Sequence, residues 1–130
     1  MPPPSSSGSV LRWPSAEVVL EQAGEWARRQ ADLHPEVQAV GVFGSYGRGD
    51  GGVGSDLDLV LVRSECDLPI WERLRAWDTS SLPLATDLLV YSRQEWDTLP
   101  EWNPTFAAAL QRDLHWLIPP VAEAQHAGQP

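Results

Sequence analysis

The chain has 130 residues, the length of a single domain, and 42% of them are hydrophobic, which is enough for one core. Its 18 acidic residues outnumber its 9 basic residues, and the net charge of −9 argues against a broad nucleic-acid-binding face, which needs clustered positive charge. All nine basic residues are arginine, so enzymes that depend on a P-loop lysine or a Schiff-base lysine are excluded. The single cysteine, Cys66, excludes an internal disulfide and a cysteine-built metal cluster.

The two ends of the chain differ in composition from its middle. Residues 1–9 are rich in proline and serine and are predicted to be disordered, and residues 119–130 are predicted to form a flexible tail. The first residues show neither the charged start nor the apolar segment of a signal peptide, and no apolar run reaches the ~20 residues of a membrane span. We therefore expect one domain over residues 10–118, in a cytoplasmic protein.

The first half of this domain predicts a helix followed by two strands. The helix begins after the N-cap Ser15 and ends before Pro35. Residues 37–43 predict a buried strand, and residues 44–55, six of which are glycine, predict a loop that can open a short helix. Residues 56–62 predict a second strand, with its leucines on one face and its two aspartates on the other. The side chains of the first helix predicted to face inward are Val19, Ala23, Trp26, Gln30 and Leu33.

The second half predicts a third strand between short helices. A helix near residues 70–77 leads to a strand at residues 85–91, and residues 92–95 form a capping-box pattern that opens another helix. Residues 103–104 begin a last helix that runs to about Leu117. Its inward residues are predicted to be Phe106, Leu110, Leu114 and Leu117. The order of elements predicts an α/β (α+β) domain, with a small mixed β-sheet and helices packed on one side.

Two aspartates of the second strand are candidate metal ligands. Asp56 and Asp58 are two residues apart, which places their side chains on the same face of a strand. Carboxylates so placed repel each other and gain nothing from a core, but they suit a divalent ion such as Mg²⁺ or Mn²⁺. For this pair taken alone, the alternative is a solvated strand face with two incidental acids.

The glycine-rich loop before these aspartates favours the metal interpretation. Gly44 and Ser45 stand where the first strand ends, and backbone N–H groups with a serine hydroxyl can bind phosphate there. Arg48 can offer a cation to a polyphosphate. A flexible connector is the alternative for the loop alone, but a glycine-rich loop that leads directly into an Asp-x-Asp strand is a much rarer combination.

Asp87 supplies a third carboxylate within an otherwise apolar strand. A carboxylate is costly to bury there unless it is paired or binds a metal. If the second and third strands are neighbours, Asp87 converges on Asp56 and Asp58. Three acids can then hold two metal ions, which activate the attacking oxygen and neutralise a leaving pyrophosphate. The three aspartates are therefore the candidate catalytic and metal-binding residues.

At these residues the chain resembles the nucleotidyltransferase superfamily that includes DNA polymerase beta. It is most similar to the minimal nucleotidyltransferases (MNT domains, MntA-type antitoxins) that are often encoded beside a HEPN partner. Their pattern is Gly-Ser, about ten residues, Asp-x-Asp, and a further acid on a later strand. Here it reads GS at residues 44–45, ten residues, DLD at residues 56–58, and then Asp87. The resemblance covers residues 37–91.

The resemblance implies transfer of a nucleoside monophosphate, often AMP from ATP, to an acceptor hydroxyl, with release of pyrophosphate. By matching position, Gly44 and Ser45 would hold the triphosphate. Asp56 and Asp58 would bind two Mg²⁺ or Mn²⁺ ions, and Asp87 would ligate the catalytic ion and favour deprotonation of the acceptor.

The resemblance also bears on the partner of the reaction. The core is too short to include the acceptor-binding domain of antibiotic-modifying relatives, so the acceptor is expected on a partner macromolecule. The attractive case is a HEPN toxin that this chain, as its antitoxin, adenylylates. Two alternatives stay open: a non-catalytic binding antitoxin or regulator with the same fold, and a small-molecule (aminoglycoside-type) nucleotidyltransferase.

Aromatic residues are the other unusual feature, because seven tryptophans are many for this length. Most of them are predicted to pack in the core, and His115 is predicted to pack within the last helix. Tyr46 is predicted either to stack on a base or to shape the loop. Some of the four tryptophans that flank the third strand could form a partner surface; these are Trp71, Trp77, Trp96 and Trp102.

Overall fold

The computed structural model describes residues 13–121, so the predictions for residues 1–9 and for most of the tail lie outside the described residues. In chain order the elements are helix α1 (Ala16–Leu33), strand β1 (Val37–Phe43), helix α2 (Gly44–Arg48), strand β2 (Leu57–Arg63), helix α3 (Ile70–Arg73), a 3₁₀ helix (Leu74–Ala76), strand β3 (Thr86–Ser92), helices α4 (Arg93–Asp97), α5 (Leu99–Trp102) and α6 (Pro104–Asp113), and strand β4 (His115–Ile118). Within residues 13–121, every helix is too short or too polar to cross a membrane.

Local sequence signals explain where three of the helices begin. The Ser15 hydroxyl accepts a hydrogen bond from a backbone N–H in the first turn of α1. Ser92 and Glu95 form the predicted capping box before α4. The Asn103 side chain accepts a hydrogen bond from a backbone N–H in the first turn of α6. All three predicted helix starts are confirmed.

The four strands form one mixed sheet with the order β3-β2-β1-β4. Strand β1 is antiparallel to both β2 and β4, whereas β2 and β3 are parallel. The predicted mixed sheet is thereby confirmed, and so is the neighbour relation of the second and third strands. The C-terminal end of β1 lies beside the N-terminal ends of β2 and β3, so the glycine-rich loop and the aspartates all meet at this end of the strands, which we call the edge of the sheet that carries the site.

One face of the sheet packs against α1 and forms the main core. Trp26 lies at its centre, fully buried, and its indole N–H donates a hydrogen bond of 2.8 Å to the backbone carbonyl of Asp78. Leu33 was predicted to face inward but is 70% exposed, because α1 runs past the core and Gln30 is its last buried residue. The fully buried α1 and strand residues of this cluster are Val19, Ala23, Trp26, Ala27, Val40, Val42, Leu57, Leu59 and Leu61.

The prediction that the last helix runs to Leu117 is wrong. Helix α6 ends at Asp113, and residues 115–118 form β4, which pairs with β1. Gly41 of β1 explains the difference, because a Cβ atom there would lie 2.6 Å from Leu114 Cδ1 and 3.0 Å from Trp116 Cε3. The missing side chain makes room for this segment beside β1. His115, predicted to pack within a helix, is therefore an exposed strand residue.

The C-terminal helices cover the second face of the sheet, so the prediction that all helices pack on one side is wrong. The rings of Trp96 on α4 and Trp116 on β4 pack edge to face, with centroids 5.6 Å apart. Tyr91 on β3 contacts both Trp96 and Trp102. Trp116 lies opposite Gly41, whose neighbours Val40 and Val42 point into the main core, so these aromatic residues occupy the other face.

Candidate functional site

Two aspartates lie opposite each other at the start of β2 and β3. Asp58 is in register with Asp87 across the parallel strand pair and, on its other side, with Phe43 at the end of β1. Neighbouring strands are about 4.8 Å apart, so the two carboxylates are within direct electrostatic reach. We call Asp58 and Asp87 the acid pair. The pairing of β2 with β3 brings the two aspartates together, as was expected if these strands were neighbours. Their catalytic role stays a prediction.

The charges at this edge of the sheet repel one another. Partial burial raises the pKa of the Asp58 carboxyl, and the negative charges of Asp87 and Asp56 raise it further. Asp58 is half-buried, whereas Asp56 and Asp87 are exposed. The exposure of Asp87 differs from the sequence argument, which assumed a buried mid-strand carboxylate, because β3 is the edge strand of the sheet. A cation at this position would relieve the repulsion.

The donor atoms at the acid pair fit a hard divalent ion, because Mg²⁺ and Mn²⁺ prefer carboxylate oxygens. Asp56 stands one residue before β2, not inside it as predicted, but it is near enough for its charge to act on Asp58. Among residues 13–121, no three His, Cys, Asp or Glu side chains are arranged as a ready-made metal site. The metal-binding role of the acid pair, and the two-ion site built on all three aspartates, stay predictions.

Gly44, the first residue of the glycine-rich loop, lies against Asp58 of the acid pair. It begins α2 with a φ of +67°, and a Cβ atom there would collide with Oδ2 of Asp58. Only glycine adopts this backbone conformation readily and also leaves room for the carboxylate. Ser45 follows it and is half-buried. Of the two predicted phosphate-binding residues, Gly44 therefore lies directly beside the acid pair, and Ser45 is the next residue of α2.

The other predicted nucleotide ligand, Arg48, points to carboxylates of its own chain. Its Nε atom lies 3.0 Å from Asp50 Oδ2, and its Nη1 atom lies 3.3 Å from Asp113 Oδ2. These two hydrogen bonds occupy part of the guanidinium, so direct contact of Arg48 with a nucleotide stays a prediction. Sequence reasoning missed Asp113, because an aspartate beside Arg112 near the end of a helix looks like an ordinary surface residue.

Tyr46 shapes the glycine-rich loop, which is one of its two predicted roles. Its ring is buried, and its hydroxyl accepts a hydrogen bond of 3.2 Å from the Trp13 indole N–H. Gly51 packs so closely on the ring that a Cβ atom there would collide with it. The loop then closes in a turn in which the Ser55 N–H donates to the Gly52 carbonyl and the Gly52 N–H donates to the Ser55 hydroxyl. This turn leads directly into Asp56.

The sequence pattern of the nucleotidyltransferase domain matches residues 25–100, more than half of the chain, and this range contains Gly44 and the three aspartates. The chain belongs to the nucleotidyltransferase domain family. No protein with curated annotation matches the chain significantly.

Two solved structures resemble this nucleotidyltransferase domain. One is a candidate nucleotidyltransferase from Sulfolobus solfataricus, with 22% identity, a TM-score of 0.56, and coverage of 82% of this chain and 88% of that one. The other is a toxin–antitoxin with AMP-PNP, with 18% identity, a TM-score of 0.54, and coverage of 80% of this chain and 78% of that one. At these identities the likeness shows the fold alone.

Proposed function

We propose that this nucleotidyltransferase domain transfers a nucleoside monophosphate, AMP from ATP, to a hydroxyl group of a partner macromolecule with the help of Mg²⁺ or Mn²⁺. The observation that carries the proposal is the register of Asp58 with Asp87, at the edge of the sheet where Gly44 begins α2. Two adjacent carboxylates beside a glycine that admits close approach suit a metal-bound triphosphate.

The proposed roles are those that the resemblance implies, and the positions of the residues support them. Gly44 and Ser45 bind the triphosphate through backbone N–H groups and the serine hydroxyl. Asp56 and Asp58 would hold the divalent ions, and Asp87 would be a further ligand and would favour loss of the proton from the acceptor hydroxyl. When bound, the ions neutralise charge on the phosphates and on the departing pyrophosphate. The acceptor oxygen forms a bond to the α-phosphorus as the bond from that phosphorus to pyrophosphate breaks.

The surroundings of the acids support an acceptor that comes from another molecule. Asp56 and Asp87 are exposed, so an acceptor hydroxyl can approach them from solvent. A net charge of −9 suits a basic partner. The likeness to a toxin–antitoxin with AMP-PNP supports an ATP-type donor and a protein partner, and the resemblance to MNT domains suggests a HEPN toxin in the cytoplasm.

The exposed tryptophans are the candidates for the surface that meets this partner. Trp71 is 75% exposed and Trp102 is 48% exposed, whereas Trp77 is buried. Tryptophan is favoured at the centre of protein interfaces because it buries a large area in a rigid shape. We therefore propose that Trp71 and Trp102, and not the buried Trp77, contribute to partner binding.

The direct test is to incubate the protein with ATP labelled at the α-phosphate, Mg²⁺ and the product of the neighbouring gene. We expect label on the partner, and none with EDTA or with the variant Asp56→Ala/Asp58→Ala. The matched control is Asp32→Ala, which removes an exposed carboxylate from α1 and should leave the transfer unchanged. Absence of transfer by the wild-type protein, or equal transfer by the double variant, would overturn the proposal.

The same preparation separates the two alternative functions. A binding antitoxin that acts by contact alone would show no metal-dependent affinity for ATP in calorimetry. A small-molecule nucleotidyltransferase would transfer label to an aminoglycoside hydroxyl without any protein partner. Transfer that requires the partner protein distinguishes the proposed function from both.

A further inference from the structure

Asp113 lies at the end of α6, far along the chain from the glycine-rich loop, yet its carboxylate is buried against α2. Its side chain is only 6% exposed, and it is the one buried carboxylate within residues 13–121. Arg48 Nη1 lies 3.3 Å from Asp113 Oδ2, and Arg112 Nε lies 2.9 Å from Asp113 Oδ1. Burial of a carboxylate is unfavourable unless it is paired, so these two guanidinium groups allow Asp113 to occupy this place.

Two further contacts attach the same region to α6. A Cβ atom at Gly47 would collide with the backbone carbonyl of Asp113 and lie 2.7 Å from the carbonyl oxygen of Val42, so α2 packs backbone to backbone against the end of α6. The ring of Phe43, the residue before α2, packs edge to face on Phe106 of α6 with centroids 5.5 Å apart. Contacts with α6 are therefore made by Phe43 just before α2, by Gly47 within it, and by Arg48 at its last residue.

These contacts matter because α2 is only five residues long. A helix of this length does not form stably by itself, so its position is set by what it packs against. Gly44 at its first residue touches Asp58, and Arg48 at its last residue binds Asp113. A shift at the Arg48 end of so short a helix moves Gly44 and Ser45 as well.

We infer that Asp113 is a positioning residue of the nucleotide site: its ion pair with Arg48 holds α2 so that Gly44 and Ser45 face the acid pair. Asp113 does not itself touch the nucleotide. Arg48 then serves nucleotide binding through the placement of α2, which is a different role from the direct ligand that the sequence predicted. The inference rests on the proposed function, because it assumes that the triphosphate binds at Gly44 and Ser45.

A double-mutant cycle on Asp113 and Arg48 tests the inference. We expect Asp113→Asn and Arg48→Gln each to weaken Mg·ATP binding about 10-fold, the usual scale for residues that orient a binding group. The double variant should bind no more weakly than either single variant, since both substitutions break the same Arg48–Asp113 ion pair that holds α2. Arg48→Lys should recover part of the affinity, and KM should change more than kcat.

The matched control is Glu36→Gln, which breaks the ion pair of 3.1 Å with Arg63 at the opposite end of β1 and should leave Mg·ATP binding unchanged. Two results would overturn the inference. One is an affinity of Asp113→Asn equal to that of Glu36→Gln. The other is a large loss in Arg48→Gln without any loss in Asp113→Asn, which would make Arg48 a direct ligand of the nucleotide.

Hydrogen exchange of the nucleotide-free protein gives a second readout. We expect the amides of residues 43–49 to exchange faster in Asp113→Asn than in Glu36→Gln, with the amides of β2 unchanged, because only α2 is released. If the wild-type protein does not bind Mg·ATP, the proposed function fails and the Asp113 role fails with it. If the wild-type protein binds Mg·ATP but Asp113→Asn binds it as tightly as Glu36→Gln does, the Asp113 role fails while the proposed function stands, whatever the exchange rates show.

Discussion

Asp58 on β2 lies in register with Asp87 on β3, so the parallel strand pair places two carboxylates side by side at one edge of the sheet. Partial burial and then the charges of Asp87 and Asp56 raise the pKa of Asp58. The fold therefore holds like charges together where β1 passes into α2. Such an arrangement costs stability in the absence of a cation and is typical of functional sites.

Substitution of Asp58 by asparagine is expected to stabilise the metal-free protein at pH 7. Because the folded state raises the pKa of Asp58, the ionised carboxylate is favoured in the unfolded chain. Its unfavourable effect on folding therefore grows as the pH rises from the ordinary aspartate range through the raised value, and it is absent below that range. The gain for Asp58→Asn should be up to about 1 kcal/mol, the scale of partly solvated charge interactions.

Urea denaturation in EDTA at several pH values measures this gain. Asp32→Asn, which removes the same charge from an exposed site on α1, is the control for net charge. The difference between Asp58→Asn and wild type should shrink in acid, where Asp58 is protonated in both states. A variant that is less stable than wild type at pH 7 would contradict the prediction.

Substitution of Gly44 by alanine should damage both the fold and the nucleotide site. The φ of +67° costs a non-glycine residue about 1–2 kcal/mol, and the new Cβ would also collide with Asp58 Oδ2. Gly52→Ala is a matched control, because a Cβ atom there meets nothing within 4 Å and its φ is not positive. Thermal unfolding and Mg·ATP calorimetry should show losses only for Gly44→Ala, and equal behaviour of the two variants would refute this reasoning.

Two tryptophans with opposite exposure should respond differently to truncation. Trp26→Ala removes a fully buried ring and its hydrogen bond to the Asp78 carbonyl, so a loss of about 3–5 kcal/mol in unfolding free energy is expected. Trp71→Ala changes a side chain that is 75% exposed and should stay within about 0.5 kcal/mol of wild type. Denaturant titrations of both variants measure the difference. A loss for Trp26→Ala as small as the ~0.5 kcal/mol expected for Trp71→Ala would show that Trp26 does not anchor the core.

The strands around the site could be predicted from sequence because their signals are local. The apolar run of β1 lies between Pro35 and the glycine-rich loop. Strands β2 and β3 begin and end within one residue of their predicted bounds. Strand β4 could not be predicted in this way. Leu110, Leu114 and Leu117 keep helical spacing, and only pairing with β1 beside Gly41 turns the segment into a strand.

The candidate site, too, could be predicted from sequence only in part. Strand parity could be inferred from the chain itself, whereas the parallel pairing of β2 with β3, which places Asp58 beside Asp87, entered the sequence analysis only as a condition. The burial of Asp113 against Arg48 could not, because the two residues are 65 positions apart and no local pattern connects them. Contacts between distant segments that create no periodic pattern stay invisible until the fold is known.

The Arg73–Glu95 ion pair should make stability depend on pH in acid. The buried Arg73 guanidinium donates hydrogen bonds of 2.7 Å and 3.0 Å to the Glu95 carboxylate, and also to the carbonyls of Leu68 and Val90. The bonds from Arg73 lower the pKa of Glu95. Stability from this pair is therefore complete above the ordinary glutamate pKa and is lost as the pH falls through the lowered value.

Glu95→Gln removes this charge but keeps an acceptor for the N–H of Ser92, so the helix cap of α4 can persist. We expect a loss of about 1–2 kcal/mol at pH 7, reduced by screening because the Glu95 side chain is 35% exposed. Urea denaturation at pH 7, 5 and 3 should show the variant and the wild type converging as Glu95 is protonated. Glu101→Gln on α5, an exposed glutamate, serves as the control. A difference between Glu95→Gln and wild type that stays constant over this range would mean that the charge of Glu95 does not contribute, and that only its shape and its cap do.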